Sequence, residues 1–219
     1  MYDWNQPEPH ARVRVRNRAD YDHETIFSIL DQGLVAHVGL IMDQRPMVIP
    51  MIYARIDDNL YIHGAKATRI IKKPDVDAPA CLTVTLVDDI VVARSAFHHS
   101  MNYRSAVIHG RVRPVNSRSE KEQALIALTN HALPGRWDEV RSMNNKEFRA
   151  TGVLALEIES ASAKSRSGPP IDDDDDYALP LWAGRIPIQS TLGSPIADEM
   201  LGDGVSLPDS VQAAIAGSK

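Results

Sequence analysis

Cysteine is nearly missing from this chain. Cys81 stands alone, so no disulfide can form within one chain, and neither a CxxC redox pair nor a cysteine-based zinc site is available. A basic excess is missing too. Lys and Arg number 24 against 29 Asp and Glu, a net charge of -5, which argues against general nucleic-acid binding. No apolar run approaches the roughly 18 to 20 residues of a membrane-spanning helix, and the first residues, MYDWNQPEPHARVRVRNRADYD, lack the apolar centre of a secretory signal. A cytoplasmic protein is the expectation. Two nucleotide signatures are also absent: no GxxxxGK[ST] loop and no GxGxxG turn.

What the chain does contain is strands. Its 219 residues, 43% of them hydrophobic, suffice for one globular domain with extensions. The stretches Gly33 to Ile41 and Met47 to Ala54 flank the turn Asp43-Gln44-Arg45-Pro46 and read as a hairpin. Leu60 to Gly64, Cys81 to Val87, Ile90 to Ala93, Tyr103 to Val112 and Gly152 to Ile158 follow, with turns expected at Asp57-Asp58-Asn59 and Asp88-Asp89. Closely spaced strands of this kind favour an antiparallel barrel or sandwich over a βαβ sheet. Helices enter as inserts. Asp22 can cap a helix whose Ile26, Ile29 and Leu30 share one face and which stops at Gly33. Ser119-Glu120-Lys121-Glu122 fits a capping box for a helix with Leu125, Leu128 and Ala132 on one side, ended by Pro134-Gly135, and Asn145 to Arg149 predicts a short further helix. Beyond Gly168-Pro169-Pro170, the aspartates Asp172 to Asp176 predict an exposed loop. Tyr177 to Gly184 then returns to apolar and aromatic residues that can cover the chain's own barrel or dock elsewhere.

Two polar clusters interrupt this pattern. From Arg94 to Gly110 stand two arginines, three serines, three histidines, an Asn and a Tyr, between strand-forming Ile90-Val91-Val92 and Ala106-Val107-Ile108. Groups carried by strands to the edge of a core need partners, either one another or a ligand. The second cluster runs from Ile62 through His63, Gly64, Thr68 and Arg69 to Lys72 and Lys73. A strand ends at a glycine, small residues follow, and a short helix begins near Thr68. That order suits a phosphate, which backbone N–H groups, a hydroxyl and a guanidinium can hold, although a solvated basic helix start looks the same. Adjacent His98 and His99 would face opposite sides of a strand, with no carboxylate at ligand spacing, so no metal site is expected.

Together the clusters resemble the FMN-binding split-barrel family, the superfamily of pyridoxamine 5'-phosphate oxidase, and within it the flavin-nucleotide-binding branch with nitroimidazole-resistance-type proteins. The resemblance rests on Val48-Ile49-Pro50-Met51, on Leu60 to Gly64 leading to Thr68-Arg69, on Arg94 to Ser105 and on Tyr177 to Gly184. It implies a mainly β fold with flanking helices, a six-stranded antiparallel split barrel, and a homodimer with FMN at the subunit interface. On this chain, Val48, Ile49, Pro50 and Met51 would run along the flavin ring, largely through backbone groups. His63 and Gly64 would border the ribityl chain. Thr68 and Arg69, with Lys72 as a weaker candidate, would hold the phosphate. Tyr103, Arg104 and Ser105 match a stretch that contacts the flavin or its phosphate, and Trp182 matches an aromatic residue lent by the partner subunit. Strand alternation turns Arg104 away from Tyr103 and Ser105, so at least one of the three is expected to be structural.

The implied organisation is an N-terminal extension (1–22), a barrel domain (23–166), an acidic loop with an aromatic segment (167–190) and a weakly ordered tail (191–219). An FMN-dependent oxidoreductase, reducing a small organic acceptor with electrons from a nicotinamide donor, is the leading expectation. A flavin-nucleotide carrier, or a barrel that takes haem or deazaflavin, is the alternative. The Arg-x-His substrate motif of pyridoxamine phosphate oxidase has no clear equivalent at Ala183 to Pro187, which argues against vitamin B6 oxidation. His98, His99 and Tyr103 can be proton donors or merely hydrogen-bonding groups, so no catalytic residue is singled out.

Overall fold

The computed structural model describes Trp4, residues 7–72 and residues 78–217. Eight antiparallel strands form one sheet: β1 (Ala19–Asp20), β2 (Val35–Met42), β3 (Arg45–Ile56), β4 (Asn59–Ala65), β5 (Pro79–Val92), β6 (Ser100–Pro114), β7 (Thr151–Arg166) and β8 (Gly184–Pro187). Six of them close a ring in the order β7-β4-β3-β2-β5-β6, because β6 also pairs with β7. β1 and β8 add to β7 and β5. This is the expected six-stranded split barrel. Helices α1 (His23–Gln32), α2 (Arg69–Lys72), α3 (Arg118–Ala132), α4 (Asn145–Ala150) and α5 (Asp209–Gly217) lie around it.

Alternation decides which side chains fill the barrel. Val38, Leu60, Leu82, Ile108, Leu154 and Ile158 point inward and are buried, and α1 lays Ile26, Ile29 and Leu30 against them. Asp22 caps α1 as expected, accepting a hydrogen bond from the Thr25 amide. Tyr53 ties β3 to this helix by donating to the Leu30 carbonyl, and burial pushes its phenol well above the ordinary range. A second core lies outside the ring, where α3 sets Ala124, Leu125 and Leu128 on Ala54, Tyr61, Val153 and Ala155.

Several local expectations need correction. The cap of α3 is Ser117, which accepts from the Glu120 amide, rather than Ser119. Glu120 instead turns its carboxylate to Arg113, 2.6 Å, and Tyr61, 3.1 Å. Asp88-Asp89 is no turn. β5 runs straight through it with a bulge between Val87 and Asp89, because both carboxylates find partners on the same sheet: Asp88 accepts from Arg104 and Asp89 from Asn102. His98 and His99 are not on a strand: Ala96–His98 form a 3-10 turn and His99 caps it.

The acidic run also departs from a simple exposed loop. Asp173, Asp174 and Asp175 are exposed, but Asp172 is buried and accepts from both the amide and Nη1 of Arg94, at 2.9 and 3.0 Å. Burial alone would raise its pKa, and these bonds outweigh it and hold the carboxyl below its ordinary value. Asp172 is thus a buried latch between this loop and the β5–β6 connection, with exposed Asp173 beside it 3.4 Å from His98 Nε2. Near the C-terminus, α5 is fixed where Ser210 donates through amide and hydroxyl to Glu139.

Candidate functional site

The ring is not uniformly paired, and its weak place is where the second polar cluster lies. β3 and β4 pair only from Tyr53↔Ile62 to Ile56↔Asn59. Before Tyr53, β3 pairs with β2 alone, while His63, Gly64 and Ala65 of β4 pair with β7 alone. The two strands part there, and β3 shows an open edge.

The polar groups on that edge follow from the hairpin. Asp43 and Gln44 both have positive φ, 49° and 62°, the conformation of a two-residue type I′ turn, so the flanking Met42↔Arg45 pair is a hydrogen-bonded one. Counting on from it, residues 45, 47 and 49 bond to β2, and the backbone of residues 46, 48 and 50 faces the gap. Two of these are prolines. Between Pro46 and Pro50 the edge therefore offers three carbonyls and a single N–H, that of Val48. The side chains alternate as well: Val48 and Pro50 face outward and are exposed, whereas Ile49 and Met51 pack against the barrel core. Of the four expected at a flavin ring, only two can present side chains to a ligand on the outer face.

Across the gap stand His63, Gly64, Thr68 and Arg69. Gly64 fits closely there, since a Cβ would come within 3.2 Å of the Ile71 side chain and 3.3 Å of the Thr68 hydroxyl. That hydroxyl donates to the Ala65 carbonyl at 2.6 Å, and the Thr68 amide bonds the same oxygen. Arg69 reaches back across the gap to the carboxylate of Asp43 in the β2–β3 turn. Both groups are solvent-exposed, with the Arg69 side chain at 62% of its free area. A guanidinium already holding a carboxylate at the mouth of a gap is chemically suited to hold a phosphate there, in competition with Asp43. Lys72 is exposed, and Lys73 lies outside the described residues. His63 and Gly64 also border a cleft of about 660 Å3 shared with Met143, Glu147 and Thr151. Partial burial lowers the pKa of His63, favouring the neutral imidazole.

The other expected residues lie elsewhere in the chain. Gly64 pairs with Gly152 near the start of β7, whereas Ser105 pairs with Lys164 near its end. Arg104 faces inward, as alternation requires. It donates to Asp88 at 2.8 and 3.2 Å and to Gln32 of α1 at 2.8 Å, so its guanidinium is committed to the fold. Tyr103 and Ser105 face outward, the former under Lys164 Nζ, 5.5 Å from its ring, and the latter donating to the Lys164 carbonyl. Trp182 lies against Gly184 at the start of β8 and remains 67% exposed. One chain thus brings together the β3 edge, His63, Gly64, Thr68 and Arg69, and does not bring Tyr103, Ser105 or Trp182 to them.

Sequence reading missed the partners that hold these residues. Asn102 is buried and donates to Asp89, 2.7 Å, and to the Gly168 carbonyl, 3.0 Å, while accepting from Arg166. The same alternation that turns Arg104 inward places Asn102 there. Among the described residues no group of three or more His, Cys, Asp or Glu is disposed to hold a metal, and no helix is long and apolar enough to cross a membrane.

Comparison with known proteins bears on this geometry. The family model described as Pyridoxamine 5'-phosphate oxidase matches residues 22–165, from the cap of α1 almost to the end of β7. The chain belongs to the pyridoxamine 5'-phosphate oxidase-like family. Among solved structures, the flavocytochrome Anf3 from Azotobacter vinelandii is 38% identical with a TM-score of 0.88, over 95% of this chain and 97% of that one. The FAD and heme binding protein from Mycobacterium smegmatis is 35% identical with a TM-score of 0.85, over 90% and 97%. These two likenesses extend past the barrel into the C-terminal arm. A 5-nitroimidazole antibiotic resistance protein from Bacteroides thetaiotaomicron, 22% identical over 67% of this chain and 85% of its own with a TM-score of 0.55, shares the fold. No curated protein matches. In this member of the pyridoxamine 5'-phosphate oxidase-like family, β3 and β4 part beyond the Tyr53↔Ile62 pair, and the candidate site lies in that gap.

Proposed function

We propose that this protein binds a flavin nucleotide in the gap between β3 and β4, with Arg69 at the phosphate, Thr68 joining it when its hydroxyl turns from the Ala65 carbonyl, and His63 and Gly64 beside the ribityl chain. The β3 edge carries the reading. Its single Val48 N–H between carbonyls complements the alternating N–H and C=O groups on the pyrimidine side of an isoalloxazine ring. Names of two relatives above 30% identity support it, one a flavocytochrome and the other an FAD and heme binding protein. FMN is the smallest nucleotide that meets these contacts. The flavin would supply electron storage, while this chain's groups bind, orient and shield.

A homodimer belongs to the same reading. Tyr103, Ser105 and Trp182 lie apart from the gap in one chain, and Val35, Ile41, Val48 and Ile52 leave apolar side chains exposed on β2 and β3. A second copy would cover that face and bring its own Trp182 to the flavin. The activity that follows is an FMN-dependent oxidoreductase using a nicotinamide donor and a small organic acceptor. The test is the purified full chain: flavin absorbance, release of FMN or FAD resolved by chromatography, a dimer by light scattering, and NAD(P)H oxidation faster than free FMN supports. Arg69→Ala should weaken FMN binding by about one to two decades, the loss of one charged hydrogen-bonded contact. A colourless protein that binds neither FMN nor FAD at micromolar concentration overturns the reading.

A second reading, haem, is favoured by the same two names together with His63, whose depressed pKa keeps its imidazole available to iron on the wall of the 660 Å3 cleft. Reconstitution with haem should then give a Soret band that His63→Ala shifts or abolishes. No haem uptake by the native chain removes this reading and leaves the flavin one standing.

A further inference from the structure

The N-terminal segment from His10 to Val15 crosses the outer face of β6 and β7 and encloses a cleft of about 220 Å3 with Ser105, Val107, His109, Ser162 and Lys164. We propose that this cleft binds a compact phosphorylated ligand, at a site separate from Arg69. Its charge is one-sided. Arg12, Arg14 and Lys164 line it together with His10 and His109, and no carboxylate does, in a chain whose net charge is -5. The two arginines belong to the crossing segment, where Arg12 Nε also donates to the Pro7 carbonyl at 2.9 Å, and the lysine to the sheet, so an anion between them would be gripped from two sides.

The floor is built as well as charged. His10 and His109 meet edge to face with ring centroids 4.7 Å apart, joining the segment to β6. Directly across from His109 in the β6–β7 register stands Ser160, which is buried and whose Oγ has no hydrogen-bond partner. That hydroxyl lies beneath the floor, and the hydroxyls on the cleft itself are those of Ser105 and Ser162. Size narrows the class. Pockets for drug-sized ligands run from about 300 to 1,000 Å3, so this cleft cannot enclose a flavin ring but suits a pyrophosphate or a small sugar phosphate.

The experiment is calorimetric titration of the full chain as purified with pyrophosphate and with AMP. Binding below millimolar concentration is expected, weakened about tenfold in an Arg12→Ala/Arg14→Ala variant whose FMN affinity is unchanged, and likewise in Lys164→Ala. The flavin arm separates the sources. If the double variant weakens FAD but not FMN, the cleft of one copy holds the adenylate end of a dinucleotide seated in the gap of a second copy, since gap and cleft lie at opposite ends of β7 in one chain; equal FAD binding with weakened pyrophosphate binding marks a free phosphorylated metabolite. Either result supports the site. It is overturned if neither probe binds at millimolar concentration or if the variants bind as tightly as the native chain. Since pyrophosphate needs no flavin, loss of the flavin reading would leave this result intact.

Discussion

The barrel has two seams of opposite character. Where β5 meets β6, the strands pair from Pro79↔Arg111 to Val91↔Ser100, and the polar residues that interrupt the pattern are matched: Asp88 with Arg104, Asp89 with Asn102. Where β3 meets β4, pairing stops after four residues on each strand, Arg69 is matched only by an exposed turn carboxylate, and β3 keeps an unpaired edge. Similar residue types thus serve different ends. Inside the closed seam a charge needs a partner for the fold to stand, whereas at the open one it remains available for exchange.

The sharpest way to break this contrast is on β6, which forms the closed seam with β5 and completes the ring against β7. A Cβ on Gly110 would sit 1.9 Å from the Glu157 carbonyl, an obstacle of backbone rather than of a flexible side chain. Gly110→Ala should therefore cost about 3 kcal/mol, read as a lower urea midpoint; an unchanged midpoint would mean that β6 and β7 are not locked there. Next, Asn102→Ala leaves the Asp89 carboxylate and Arg166 without their buried amide, and about 2 kcal/mol should be lost by the same measurement. At the open seam the sign reverses. Asp43→Asn should change stability by less than about 0.5 kcal/mol, yet tighten FMN binding about two- to fivefold by freeing Arg69. Weaker binding in that variant would show that Asp43 positions Arg69 instead of competing for it.

The smallest effect is a pH dependence. Burial, and then the neighbouring His10, lower the pKa of His109 below 6.5. The folded state thus takes up its proton later than the unfolded one, so stability is full above pH 6.5 and falls as the pH drops from there towards the folded pKa. His109→Gln should flatten part of that slope in thermal melts between about pH 7 and 5. An identical slope in the variant would assign it to other groups such as His63.

Much of this was legible in sequence where the signal was local. Ile26, Ile29 and Leu30 share a helical face because their spacing puts them there, and Asp22 caps because a short carboxylate can reach the amide three residues on. Alternation alone separated Arg104 from Tyr103 and Ser105. What escaped was set by long-range geometry. Nothing around Asp172 distinguishes it from the four aspartates after it; only Arg94 does, and it lies 78 residues away. Asp88-Asp89 has the composition of a turn and became a bulge, since its partners come from β6. The gap itself had one local trace, Pro50 within a strand, and its meaning depended on β4 departing just beyond.

That proline has a further consequence, concerning what the molecule avoids. An unpaired strand with free amides is a template on which another chain can add, and runs of such additions grow into aggregates. Pro46 and Pro50 remove two donors from the open edge of β3 and leave Val48 alone between them, so an incoming strand finds no continuous ladder to complete. A small planar ligand needing one donor and flanking acceptors is not so hindered. The two prolines let the barrel stay open to a cofactor while closed to polymerisation.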